Sequence, residues 1–73
     1  MARGTVNWFN RLRGYGFIAP DFGPKDVFVH VSALVDDVRD GLAPGERVEF
    51  ELTQFRDGRL AAQAVKRLPE AVS

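Results

Sequence analysis

Along the 73-residue chain, apolar side chains come in short alternating bursts separated by Gly, Pro, Asp and Asn. Alternation with a period of two is the pattern of a strand that buries one face. Thr5-Val6-Asn7-Trp8-Phe9 predicts a first strand, Asn10 to Gly14 a tight basic loop, and Tyr15 to Ala19 a second strand paired with the first as a hairpin. Asp21-Phe22-Gly23-Pro24-Lys25 is turn chemistry and leads into a third strand from Asp26 to Val31, completing a meander. Ser32 is placed to cap a single helical turn over Ala33 and Leu34. Residues 35–45 contain Asp, Gly and Pro with no sustained helical period and predict a long loop. Val48, Phe50 and Leu52 alternate with Glu49, Glu51 and Thr53, which predicts a half-buried fourth strand. Asp57-Gly58 supplies the turn into a fifth strand over Leu60 to Leu68, ended by Pro69.

Five short strands with one long connection predict an all-β fold, a small closed or nearly closed barrel that hides its own edges. Gly14 and Gly16, in or beside the second strand, suit the bulges or sharp coiling of a barrel corner. The length allows one domain, and a chain of this size buries only about 60% of its unfolded surface, so its stability is expected to be marginal.

The same alternation sorts the rings. Tyr15 and Phe17 share one face, as do Phe28 and His30, opposite Ile18, Val27 and Val29. The aliphatic face makes the core and leaves the other face with its rings outward. Trp8, Phe9, Tyr15, Phe17, Phe22 and Phe28 account for all but Phe50 and Phe55 of the Phe, Trp and Tyr residues, too many for one small core. Arg11, Arg13 and Lys25 sit among them, and rings interleaved with cations are what stacking on and neutralising single-stranded nucleic acid requires.

Charge refines this reading. The net charge is zero, but residues 1–25 carry Arg3, Arg11, Arg13 and Lys25 against Asp21 alone. Residues 36–51 carry Asp36, Asp37, Asp40, Glu46, Glu49 and Glu51 against Arg39 and Arg47. A basic aromatic half and an acidic middle orient a polyanion on one face, and affinity then leans on stacking as well as charge. The absence of cysteine removes disulfides and thiolate metal sites and points to a reducing cytoplasm. No apolar run reaches the length of a signal peptide core or a membrane span, so a cytoplasmic protein without membrane association is expected.

Arg13-Gly14-Tyr15-Gly16-Phe17-Ile18 follows the ribonucleoprotein pattern of basic residue, Gly, aromatic, Gly, Phe, aliphatic. RNA-recognition-motif domains carry it on a late strand after a helix, and this chain has no stretch for two packing helices. With Trp8-Phe9-Asn10 before it and Asp26-Val27-Phe28-Val29-His30 after it, the chain closely resembles the bacterial cold shock proteins, or cold-shock domains, from roughly Gly4 to Val65. The resemblance implies a five-stranded antiparallel barrel of the oligonucleotide-binding (OB) fold, with single-stranded RNA or DNA lying across strands one to three. Carried over by position, Trp8, Tyr15, Phe17, Phe28 and His30 form the stacking platform and Phe9 its border. Asn10 and Asp26 give polar contacts to base edges, and Arg13 keeps the charge of the usual lysine. Lys25 and Arg11 are added as phosphate contacts from their place beside the platform. A cold-shock domain over residues 1–68 and a short tail over 69–73 are expected.

The chain departs from the family pattern at several points. Asn7 stands where a lysine is common, Val31 where a Phe often follows the His, and Val38 or Arg39 where the long loop usually has a ring. At about 1–3 kcal/mol per stacked base, two missing rings lower affinity by one to several orders of magnitude, part of which Arg39 can restore by stacking its guanidinium plane. Phe22 either folds over the barrel end or adds a ring at the platform edge. Arg56, Arg59, Lys66 and Arg67 either solubilise the protein or extend the binding track. The spacing of Asp36, Asp37 and Asp40 lacks the calcium-loop pattern, and His30 has no partner in a catalytic motif, so no metal, cofactor or enzymatic activity is expected. The expected function is that of an RNA chaperone and regulator of transcription or translation under cold or other stress, acting as a monomer. The competing reading is a small barrel whose aromatic face binds a peptide.

Overall fold

Alternating burial builds the wall of a barrel from five strands: β1 (Ala2–Asn10), β2 (Tyr15–Pro20), β3 (Val27–His30), β4 (Arg47–Gln54) and β5 (Leu60–Arg67). The computed structural model describes residues 1–68, so Pro69 and the tail beyond it lie outside the described residues. The strands close in the order β1-β2-β3-β5-β4. All neighbouring pairs are antiparallel except β3 and β5, which run parallel through Phe28 opposite Ala61, supported by a bridge from Leu34 to Val65. Val6, Ile18, Val27, Val29, Val48, Phe50 and Val65 point inward and are buried. No polar or charged residue joins them among the described residues. Each large aliphatic or aromatic side chain so buried contributes roughly 1.5–3 kcal/mol, which is how so short a chain offsets its ordering entropy.

Strict alternation does not hold along β1. Val6 pairs with Ile18 and Trp8 with Phe17, so Asn7 is one residue too many for the step on β2. Without that bulge Val6 and Trp8 would share a face. With it, Val6 is buried, Trp8 is 40% exposed, and Phe9 turns to pack against the core. Opposite Phe9 lies Gly16, where a β-carbon would fall 2.2 Å from the Trp8 carbonyl oxygen and 2.7 Å from the Phe9 Cα. The bulged strand can approach β2 this closely only because the residue there has no side chain.

The connection after β3 differs in detail from the expected loop. A 3₁₀ turn spans Val31–Ala33, and its cap is the His30 ring, whose Nδ1 accepts from the Ser32 backbone N–H, rather than the Ser32 hydroxyl. A second 3₁₀ turn spans Asp36–Val38, and Leu34, Val38 and Leu42 reach inward to close one end of the barrel. Arg67 ties this acidic loop down: its guanidinium donates to Glu46 and to the Asp37 carbonyl at 3.2 Å, and lies 3.8 Å from Asp40. It is therefore engaged at the loop rather than free for a binding track.

Leu52, expected inward, is 42% exposed. β1 begins at Ala2, opposite Phe50, so beyond that residue β4 has only β5 for a neighbour. The β4–β5 hairpin runs on past the barrel's interior and there is nothing left for Leu52 to pack into.

On the opposite flank, Arg47 grips Asp21 with two parallel bonds of 2.7 Å and donates a third, at 3.0 Å, to Thr5. The hydrogen bond to Arg47 holds the Asp21 carboxyl below the usual carboxylate range. A depressed carboxylate stabilises the fold above its unfolded pKa, about 3.9, and that contribution is lost as pH falls through the folded value. Asp21→Asn should therefore melt slightly below wild type at neutral pH, by a small margin because the pair is half exposed. The gap should close as pH drops below about 4. Melting curves across that range check it, and a gap that is constant with pH would remove Asp21 from the acid response.

Candidate nucleic-acid interface

The outward faces of β1, β2 and β3 carry four rings in mutual contact. Trp8 lies 5.6 Å from Tyr15 and 5.4 Å from Phe17, Tyr15 lies 6.0 Å from Phe28, and Phe17 lies 5.8 Å from Phe28. The contacts form a closed circuit in which three pairs meet edge-on or tilted and Tyr15 with Phe28 is stacked at 28°. Register explains it: Trp8 faces Phe17 across one ladder, and Phe17 faces Phe28 and Tyr15 faces His30 across the next. Edge-to-face and offset contacts of this kind are each worth about 0.5–1.5 kcal/mol beyond area burial, so the rings hold one another in place before any ligand arrives.

The remaining predicted residues separate by position. His30 is exposed beside Tyr15; its Nδ1 accepts from the Ser32 N–H and lies 2.9 Å from the Ser32 hydroxyl oxygen. The neutral ring thus keeps its proton on Nε2, the nitrogen free to donate outward. Asp26 is exposed and accepts from the Asn7 side-chain amide at 3.2 Å, which links it to the β1 bulge. Lys25 stands beside it at the mouth of a groove of about 500 Å³ that runs along Phe17 and Phe28.

Asn10 serves the turn. Its Oδ1 accepts from the Leu12 and Arg13 backbone N–H groups, both at 3.0 Å, and Gly14 closes the turn with φ +77°. Only its side-chain NH₂ group is left to reach a base. Arg13 is exposed at that turn, and Phe9 faces the core rather than the ring circuit. The Arg11 stem crosses Gly41, where a β-carbon would come within 2.9 Å of the arginine Cγ. Arg39 donates from Nε to the Leu34 carbonyl at 3.2 Å and lies 3.7 Å from Asp36. Both cations therefore belong to the loop side of the structure, apart from the groove. Phe22 is 55% exposed in its turn.

The far side of the groove is made by residues that sequence reasoning left out of the site. Phe55, Gly58, Arg59 and Leu60, from the β4–β5 hairpin, line it together with Phe17 and Phe28. The signal for them was faint: a Phe immediately before a polar Asp-Gly turn, where nothing in the core calls for a ring.

A family model described as the 'Cold-shock' DNA-binding domain matches residues 2–68. The chain belongs to the cold-shock domain family. It is 49% identical over 63 residues to the cold shock-like protein CspE of Escherichia coli, covering 86% of this chain and 91% of that protein. It is likewise 49% identical over 69 residues to the cold shock-like protein CspA of Stigmatella aurantiaca, covering 94% of this chain and all of that one. Among solved structures it is similar to Drosophila Unr CSD456, with a TM-score of 0.77 at 27% identity; the match takes in 99% of this chain and 29% of that one. The all-β barrel is thus the cold-shock domain's, and the family binds nucleic acid rather than catalysing a reaction. Among the described residues, no helix is long and apolar enough to cross a membrane.

Proposed function

We propose that this cold-shock domain binds single-stranded RNA and single-stranded DNA on the Trp8, Tyr15, Phe17 and Phe28 circuit and acts as an RNA chaperone. The observation that carries the reading is the circuit itself: four rings in mutual contact on a solvent-facing sheet, bordered by Lys25 and Asp26. Unpaired bases stack on the rings, cations hold the phosphates, and His30 donates from Nε2 to a base or phosphate oxygen. Since only the unpaired strand fits, binding draws transcripts out of their folded forms by mass action, without ATP. The protein works in this reading as a cytoplasmic monomer that keeps transcripts open to transcription and translation under cold or other stress.

Trp8 reports on the proposed face directly. Titration with single-stranded heptanucleotides should quench its fluorescence saturably, and a matched duplex should have little effect. With about three phosphate contacts from Arg11, Arg13 and Lys25, log affinity should fall against log salt with a slope of about −2 to −3. A slope near −8 would mean that a charged track elsewhere dominates, and the absence of quenching by any single strand would end the reading.

A further inference from the structure

The groove beside the ring circuit straddles the closure of the barrel, with Phe28 on β3 and Leu60 on β5. Its charged residues cancel: Lys25 and Arg59 stand against Asp26 and Asp57. Arg59 is further neutralised by Asp57, whose carboxylate takes its Nε at 3.1 Å and its backbone N–H at 3.0 Å. A groove lined with rings, without net charge and with a carboxylate acceptor at Asp26, suits the flat, neutral, N–H-bearing edge of a nucleobase better than a phosphate.

Phe55 is the residue of this groove that the fold itself does not explain. It lies beyond Phe50, where β4 has lost β1 as a neighbour, is 51% exposed, and is absent from the buried core. Yet its backbone is fixed: its N–H donates to the Arg59 carbonyl at 2.8 Å, and its carbonyl accepts from Gly58 at 3.0 Å. Gly58 holds φ +90° at the turn with open space around it. A ring kept half in water on a pinned turn, against a groove of about 500 Å³, is preorganised for an apolar occupant.

We infer that Phe55 is a base-contacting residue that extends the platform by one nucleotide onto the β4–β5 hairpin, holding an unpaired base in the groove with Phe17 and Phe28. The occupant is the continuation of the single strand bound on the ring circuit, so the inference rests on the single-strand reading. Continuity of the two surfaces through Phe17 and Phe28 sets the path.

The test is a ladder of dT oligonucleotides, each one nucleotide longer than the last, titrated against wild type, Phe55→Ala and Phe55→Trp and read by Trp8 quenching and label anisotropy. Wild type should gain a step in affinity at the length that reaches the groove. Phe55→Ala should lack that step and bind the longest oligonucleotide roughly 5- to 150-fold more weakly, the loss expected for one stacked base. Phe55→Trp should restore it, by label anisotropy, since a second tryptophan alters the fluorescence baseline. The salt slope should be the same for all three, because the group lost meets a base. If Phe55→Ala follows wild type along the ladder while Trp8 is still quenched, this inference falls and the single-strand reading stands. A changed salt slope with Phe55→Ala would also overturn it, in favour of a phosphate path. If wild type binds no member of the ladder, both readings fall together. Melting curves of each variant exclude unfolding as the cause of a lost step.

Discussion

Removing the two central rings together, Phe17→Ala with Phe28→Ala, should weaken binding of a single-stranded heptanucleotide by between about 30-fold and 20,000-fold, two stacked bases at about 1–3 kcal/mol each. The pair opens the circuit at the point where it meets the groove, so the loss goes beyond the two stacks: Trp8 and Tyr15 each lose a ring that fixed their orientation. Both phenylalanines lie outside the buried core, which is made by their strand neighbours Ile18, Val27 and Val29. The double variant should therefore still fold, and a cooperative melt recorded beside the titration establishes that. Affinity within threefold of wild type in a folded double variant would place binding elsewhere on the barrel.

Gly16→Ala should have the largest effect on stability of any single methyl group added to this chain. The atoms the new β-carbon would meet, the Trp8 carbonyl oxygen at 2.2 Å and the Phe9 Cα at 2.7 Å, are backbone, and neither can swing aside as a side chain would. Relief requires parting β1 from β2 at the bulge, which loses ladder bonds and turns Trp8 and Phe9 away from their faces. A loss on the order of 3 kcal/mol or more follows, a large fraction of the stability of so small a domain. Gly23→Ala is the control, since a β-carbon there meets nothing within 4 Å. Denaturant midpoints compare the two, and equal midpoints would show that the bulge relaxes more easily than its geometry implies.

Period-two patterning was enough to read the strands, the hairpin turns and the division between Ile18, Val27 and Val29 on one face and the rings on the other. These depend on neighbours in sequence or on one paired strand. Trp8 marks where the pattern stops speaking: its outward face depends on a bulge at Asn7, which shows only as a register shift against β2, and family resemblance alone placed it. The same bulge turns Phe9 to pack against the core. Leu52 fits a buried alternation, yet where β1 starts decides that its side chain has nothing to enter. Asn10 and Arg11 were legible as residue types, but the turn that engages the Asn10 Oδ1 and the passage of the Arg11 stem across Gly41 follow from backbone geometry that spacing does not encode. Phe55 and Leu60 escaped notice as groove residues, and Arg59 was left between solubilising charge and binding track, because they reach the groove through β5 lying beside β3, a long-range placement that no local spacing encodes.

The ring order also dictates when the protein can become itself. β5 is the last strand in sequence but the fourth around the wall, sitting between β3 and β4. As the polypeptide leaves the ribosome, β1, β2 and β3 can zip as a meander and β4 can join β1, each pairing using only residues already made. A gap one strand wide then remains, with β3 and β4 both offering bare edges to any passing strand. Residues 60–67 fill it, supplying Ala61, Ala62 and Val65 to the interior in the same step. Until those residues emerge, the nascent chain is an open sheet at risk from its neighbours, and the groove that spans β3 and the β4–β5 hairpin does not yet exist.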